Sequence, residues 1–459
     1  MARFGIWLAF PCAVVLLLPA AAYNRFPLFY PDSVAYLHYG DRLVRLAVPI
    51  VDRAIYYGLA IWPFHLELSL WPVVVAQALI LAHLLRVLLR CLDLPSGVLP
   101  WLGLVAILSG LTSVSWYVSQ IMPDIFAGIL VPALFLTAFC RDRLTRAERV
   151  WFPILIVLSI MLHPTHLAIA AVLGALAWLL WCVRPSRPAA MSAAILTAAP
   201  AIGFALSMAG SIALFDQARL TPDGAPYFLG RLIADGPGLN YLRESCAKGA
   251  RYELCREVDN FPRETWQVLW DPNSPLRTHA GFRAEVMEEA DAIVRGTILM
   301  FPGQVLSNAW DAFQRQFVTI DSELVMGPSR ELVAVWNPYA AAGFAASWQA
   351  HGLATSGRMA RFNKVHRPIY LGSIALMLAA TPWLWHRRRR WMLLLIAMTT
   401  VALVVNAALT GVVSDVVGRY QGRVAWLPTL MVLLCAATAW RNGFFADDDK
   451  EKNFDCQWE

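Results

Sequence analysis

Residues 387–411 read RRRRWMLLLIAMTTVALVVNAALTG: four consecutive arginines, then a run to Gly411 without a charged residue. A helix needs about 20 apolar residues to cross the roughly 30 Å hydrocarbon layer of a bilayer, and in lipid its backbone groups can only satisfy one another. Residues 391–411 therefore predict a membrane-spanning helix. Arginines are retained in cytoplasmic loops and lost from outer ones, so Arg387 to Arg390 place its start on the cytoplasmic side.

Nine further runs of the same kind flank this one, near 4–22, 70–89, 98–116, 125–139, 150–162, 166–183, 190–215, 368–385 and 424–440. Threading ten helices puts Arg3, Arg86 and Arg90, Arg141 to Arg149, Arg184 and Arg187, Arg387 to Arg390 and Arg441 on one face without a clash. Both termini are then cytoplasmic. Composition agrees, since 58% hydrophobic residues, 15% charged residues and a mean hydropathy of +0.52 over 459 residues exclude an ordinary soluble domain. The net charge of +6 is largely this topological signal and implies no nucleic-acid partner. The expected fold is an all-α polytopic membrane protein.

Leu18-Pro19-Ala20-Ala21-Ala22 after the first apolar run resembles a signal-peptide cleavage site. The expectation is an uncleaved anchor, and cleavage would leave Asp32 on the same side. The domain plan is a membrane module over 1–215, an outer region over 216–366, a second membrane module over 367–441 and an acidic cytoplasmic tail over 442–459, whose composition suits disorder. The outer region is expected to form a small, mainly helical cap, with amphipathic helices over 282–295 and 305–317, the second suited to lying on the membrane plane. Neither internal repeats nor paired, broken hydrophobic segments of the inverted-repeat kind are visible.

Of eight cysteines, only Cys246 and Cys255 fall outside the membrane and cytoplasm, where an oxidising compartment would let them close a small loop; two unpaired thiols are the alternative. No CxxC or His-x-x-x-His spacing points to zinc.

Chemistry concentrates where the hydrophobic runs meet water on the outer side. Asp32 in Tyr30-Pro31-Asp32-Ser33 and Asp124 in Met122-Pro123-Asp124 are acidic residues in an acid-poor half of the chain. Asp32 lies four residues before Tyr36, which on a helix directs both side chains to one face. Each carboxylate also suits simple helix capping. His163-Pro164-Thr165-His166 forms a turn between the fifth and sixth helices, where His163 and His166 serve either as structural hydrogen-bond partners or as substrate contacts. Arg419-Tyr420-Gln421-Gly422-Arg423 leads into the last helix, and arginines on an outer face run against the positive-inside trend. They fit either snorkelling towards headgroups or a phosphate site, because guanidinium presents a planar, permanently charged fork to phosphate oxygens.

This order of residues resembles the GT-C superfamily of integral-membrane glycosyltransferases, which includes the bacterial aminoarabinose transferase and the protein O-mannosyltransferases. The likeness rests on an acidic residue in the first outer loop, a Pro-Asp in the next, a polar turn after helix five, a large outer segment and a late Arg-Tyr-x-x-Arg. One departure is that many relatives carry two adjacent acidic residues in the first loop, whereas Asp32 stands alone with Asp41 nine residues on. The resemblance implies transfer of a sugar from a polyprenyl-phosphate donor to an envelope glycan, lipid or protein, on the outer face of a bacterial inner membrane, usually with inversion. Asp32 is then the base, Asp124 its partner, and Arg419 and Arg423, with Tyr420, His163 and His166, attend the leaving phosphate. No cofactor is demanded, and a divalent metal is left open. Two other classes stay open: a lipid or solute transporter or flippase, which should carry ionisable groups at mid-helix where only Gln77 and Asn406 are polar, and a non-catalytic envelope assembly protein.

Overall fold

The computed structural model describes residues 2–46, 54–183, 186–216, 218, 220, 224–278, 281–320, 338–353 and 357–444. Most of the acidic tail expected over 442–459 lies outside the described residues, as do Arg184 and Cys456.

The first half is a run of apolar helices: α1 (Ala2–Leu17), α2 (Pro19–Asn24), α3 (Pro31–Val44), α4 (Tyr56–His65), α5 (Trp71–Cys91), α6 (Val98–Leu111), α7 (Val114–Val118), α8 (Ile125–Phe139), α9 (Arg146–Leu162), α10 (Pro164–Val183) and α11 (Arg187–Phe215). A polar region follows with α12 (Gly224–Ala234), α13 (Pro237–Ala247), α14 (Thr265–Trp270), α15 (Ala284–Met300) and α16 (Pro302–Val318). The chain then returns through α17 (Pro338–Ala345), α18 (Arg358–Ala379), α19 (Thr381–His386), α20 (Arg390–Val413), α21 (Gly418–Gly422) and α22 (Trp426–Phe444). Among the described residues the sheet content is one antiparallel pair, Arg277–Thr278 with Gly281–Phe282. The fold is all-α.

Six helical stretches are long and apolar enough to cross a membrane: Trp71–Cys91, Pro164–Val183, Ala189–Phe215, Arg361–His386, Arg390–Val413 and Gly418–Arg441. They fit a multi-pass membrane protein. The other four expected spans coincide with shorter helices, α1, α6, α8 and α9, of 16, 14, 15 and 17 residues. The run expected over 98–116 is interrupted where Thr112 turns extended (φ −127°, ψ 172°) and its hydroxyl bonds back to the Leu108 carbonyl at 2.6 Å. Hydropathy continues through that break, which is why the pattern overstates the helix. The expected 368–385 span covers the end of α18, which already starts at Arg358, and most of the short α19 that follows.

Two apolar cores divide the molecule. The larger one fills the membrane helices, with α8 buried along almost its whole length. The smaller one joins α12 to α15 through Leu229, Ile233, Leu242, Leu254, Val268 and Val286. Cys246 and Cys255 are bonded there with Cα atoms 5.7 Å apart, and the Glu289 carboxylate accepts the amides of Glu253 and Leu254 at 2.9 and 3.1 Å.

This cap is fastened to the membrane helices at the turn between α20 and α21. Arg231, 3% exposed, reaches Asp235 at 2.8 Å and Asp415 at 3.1 Å. Burial pushes both carboxyls above their ordinary range, against the opposing pull of Arg231. Gln316 of α16 donates to the Val417 carbonyl and accepts from the Val417 amide, each at 2.9 Å.

Candidate functional site

The site is assembled from chain segments far apart in sequence, held by backbone pairing. Leu28 forms an isolated parallel bridge with Gln120: its amide donates to the Ser119 carbonyl at 2.8 Å, and its carbonyl accepts from the Ile121 amide at 2.9 Å. The first free amides of α2, those of Ala20 and Ala21, donate to the hydroxyls of Ser115 and Ser119, which fills donors that the start of any helix leaves open. The loop before Asp32 and the segment before Asp124 are thereby stitched together.

Two glutamines reinforce the stitching. Gln77 of α5 donates to the carbonyls of Val118 and Gln120 at 2.8 and 3.0 Å and accepts from the Tyr57 hydroxyl at 2.9 Å. Gln349 accepts from the Phe29 amide at 2.9 Å and donates to the Phe29 carbonyl at 2.8 Å, pairing with that residue as a neighbouring strand would.

The arginine-bearing helix α21 is brought to the same place by Tyr117 and Ser113. Their hydroxyls donate to the carbonyls of Arg419 at 2.7 Å and Gly422 at 2.9 Å. Gly422 has no room for a side chain beneath the Tyr117 hydroxyl.

These contacts bring the four charged residues singled out in the sequence into one cluster. Arg419 NH1 lies 3.6 Å from Asp32 and 3.7 Å from Asp124, and Arg423 NH1 lies 3.6 Å from Asp124. The Asp124, Arg419 and Arg423 side chains are only 3%, 6% and 0% exposed, whereas Asp32 keeps 17%. The Arg419 guanidinium carbon sits 3.8 Å from the Tyr30 ring centre and 5.1 Å from that of Tyr420, a cation–π sandwich that tolerates a buried charge.

Tyr30 is the N-cap of α3, its amide donating to the Ser33 hydroxyl at 2.8 Å, and Asp32 falls in the first turn. Asp124 occupies the N-cap position of α8 but makes no side-chain cap hydrogen bond, being directed at the arginines. The capping reading is corrected for Asp124.

Arg423 is held from behind by residues that sequence reasoning did not select. Asn406 Oδ1 accepts from its Nε at 3.0 Å and its NH2 at 2.7 Å, and the Thr165 hydroxyl accepts from NH2 at 2.8 Å. His163 Nδ1 lies 2.8 Å from the same hydroxyl and 3.3 Å from the Thr165 amide. An amide can only donate, so Nδ1 is the unprotonated nitrogen. His163 is therefore one link removed from the arginines. His166 is buried with Nδ1 donating to the Ser159 carbonyl at 2.6 Å, a structural bond within the turn. Tyr36 is 2% exposed and packs edge-on to Tyr57 at 5.2 Å between ring centres.

Buried donors almost always find acceptors, yet Arg419 Nε and NH1 and Arg423 NH1 have none within hydrogen-bond reach. The carboxylates stand at 3.6 to 3.7 Å, close enough to neutralise but too far to bond. The cluster is a charge-balanced set of two guanidinium groups and two carboxylates. It does not suit a divalent metal, because the Arg419 guanidinium takes the place between Asp32 and Asp124. Among the described residues no group of three or more His, Cys, Asp or Glu is placed to hold one.

No protein-family model, no curated protein and no solved structure matches this chain.

Proposed function

We propose that the protein is a membrane glycosyltransferase that moves a sugar from a polyprenyl-phosphate donor to an envelope acceptor. The reading takes the chain as ten spans with both termini cytoplasmic, so that the cluster faces the outer side of a bacterial inner membrane. The observation that carries it is the pair of buried guanidinium groups with unfilled donors, set against two carboxylates of unequal exposure.

In this reaction the donor phosphate docks beside Arg419, the more exposed of the two guanidinium groups, with Arg423 behind it. Fixed cationic donors aimed at a leaving phosphate stabilise the charge it gains as the bond to the sugar breaks. The phosphate leaves with the bonding electron pair and needs no general acid. An acceptor hydroxyl or amine attacks the anomeric carbon from the opposite face, inverting it, while Asp32 takes its proton. Asp32 is the better base because its side chain is reachable, at 17% exposure against 3% for Asp124. Asp124 stays between both arginines as their counter-charge.

The test is transfer of labelled sugar from polyprenyl-phosphate-sugar donors by purified wild type and Asp32→Asn, with equal folding established first. Loss of transfer by about 10²-fold or more in the variant supports the assignment. Transfer that persists would move the base to Asp124. Absence of turnover by wild type over a broad donor and acceptor panel would reject the reaction and favour lipid movement or assembly.

A further inference from the structure

The cap helix α16 carries an apolar stripe that the site does not use. Leu306, Trp310, Phe313 and Phe317 recur at the spacing that stacks side chains on one helical face. Leu306 and Trp310 are 71% and 58% exposed. Exposed Gln304, Ser307, Asp311, Gln314 and Arg315 fall on other faces. The chain just before it, Ile298-Leu299-Met300, is also exposed, Leu299 at 76%.

The remaining side of α16 fixes its level. Ala312 and Gln316 are fully buried against α20, and a side chain at Gly411 would come within 2.8 Å of the Ala312 carbonyl. Gly411 lies in the last turn of a 24-residue membrane span, at the end remote from Arg387 to Arg390. A helix crossing there lies at the boundary between hydrocarbon and headgroups. That boundary is where Trp residues gather and where amphipathic helices lie flat, apolar face down. Water is a poor neighbour for such a stripe, since contiguous apolar patches on soluble surfaces are usually interaction sites.

We propose that α16 rests in the plane of the bilayer, with Leu306, Trp310 and Phe313 in contact with lipid acyl chains, so that the cap is seated on the membrane as well as on α20. The occupant of the stripe is the lipid leaflet itself, continuous with the lipid around α20. This inference is independent of the proposed reaction.

The protein is reconstituted in phosphatidylcholine vesicles whose acyl chains carry a diazirine, photolysed and mapped by mass spectrometry. The expected result is about a tenfold excess of adducts on Leu306, Trp310 and Phe313 over Gln304, Asp311 and Gln314. A Leu306→Asp, Trp310→Asp variant should lose those adducts while the Trp71–Cys91 span keeps its own. Labelled spans with an unlabelled stripe would overturn the proposal. Disulfide-trapped dimers through Leu306→Cys in the same vesicles, beyond those formed by wild type, would also overturn it, by showing that a second copy covers the stripe.

Discussion

Asn406 Oδ1 receives two hydrogen bonds from the Arg423 guanidinium, at 2.7 and 3.0 Å, in the interior of a membrane span. Replacing it with leucine removes the acceptor for a buried cation, which costs about 1–3 kcal/mol for donors left unpaired. Asn406→Leu should lower thermal stability in detergent and raise the donor KM. Asn406→Asp restores an acceptor for Arg423 but loses the donor to the Tyr420 carbonyl and Gln421 Oε1 and adds a third carboxylate beside two arginines. Its stability should recover only in part while donor affinity falls further, and a titration of donor against both variants separates the two effects. Recovery of donor affinity in Asn406→Asp would contradict an anion site.

Gln349 pairs with both backbone groups of Phe29, three residues before Asp32, and its amide donates to Asn24 Oδ1 at 3.0 Å. Gln349→Ala frees the loop that carries Asp32, the proposed base, without touching the arginines. Because misplacing a catalytic group by about 1 Å can cost up to 10²-fold, kcat should fall by ~10- to 100-fold with the donor KM nearly unchanged. Steady-state kinetics with varied donor decide it, and an effect confined to KM would show that Gln349 does not position Asp32.

Gly40 and Gly58 let α3 and α4 touch backbone to backbone. A side-chain carbon at Gly58 would overlap the Tyr36 carbonyl, and one at Gly40 would sit 2.5 Å from the Gly58 carbonyl oxygen. Gly58→Ala should destabilise by ~1–3 kcal/mol through overpacking and reduce transfer by displacing the helix of Asp32. Gly103→Ala, where nothing lies within 4 Å of the new carbon, is the matched control and should be neutral. Thermal unfolding of the two variants side by side gives the comparison.

Asp235 and Asp415 supply the pH dependence of cap docking. Burial holds both above the ordinary carboxyl range, so the folded protein binds these protons more tightly than the unfolded chain does. Their contribution is fully present below the unfolded value of about 4 and is lost as pH rises through the raised folded values. Relative to an Asp235→Asn, Asp415→Asn variant, the wild-type Tm should fall as pH rises from 4 towards neutrality and level off above that. A difference that instead grows with pH would mean that Arg231 outweighs burial at these two carboxyls.

The membrane character and the four charged residues of the cluster were legible because each depends on local signals: an apolar run, a proline before an acid, two arginines directly before the run over 424–440. Their convergence was anticipated through a family pattern, whereas the contacts that produce it were not. Gln349 acts on Phe29 across 320 positions, and Thr165 on Arg423 across 258. Nothing in the surrounding composition marks Gln349, and Thr165 was quoted within the polar turn without a role. Asn406 did stand out as a polar residue within an apolar run, the one signal that pointed to a missed contact. Tyr30 sat beside Asp32 in the quoted motif, but a ring stacked on a buried guanidinium follows from tertiary placement. The helices expected over 4–22 and 98–116 were overstated because hydropathy does not register the stop at Leu17 or the break at Thr112.

Tyr117 and Ser113 clasp the carbonyls of Arg419 and Gly422 across 302 and 309 positions of chain. A ribosome delivers residues from the amino end, at about 5–20 per second. The carboxylates therefore reach the membrane well before the cations that neutralise them, by roughly 15–60 s at that pace. A chain halted before Gly418 would lack Arg419 and Arg423, and with them both carbonyls of the clasp and the counter-charges of Asp32 and Asp124.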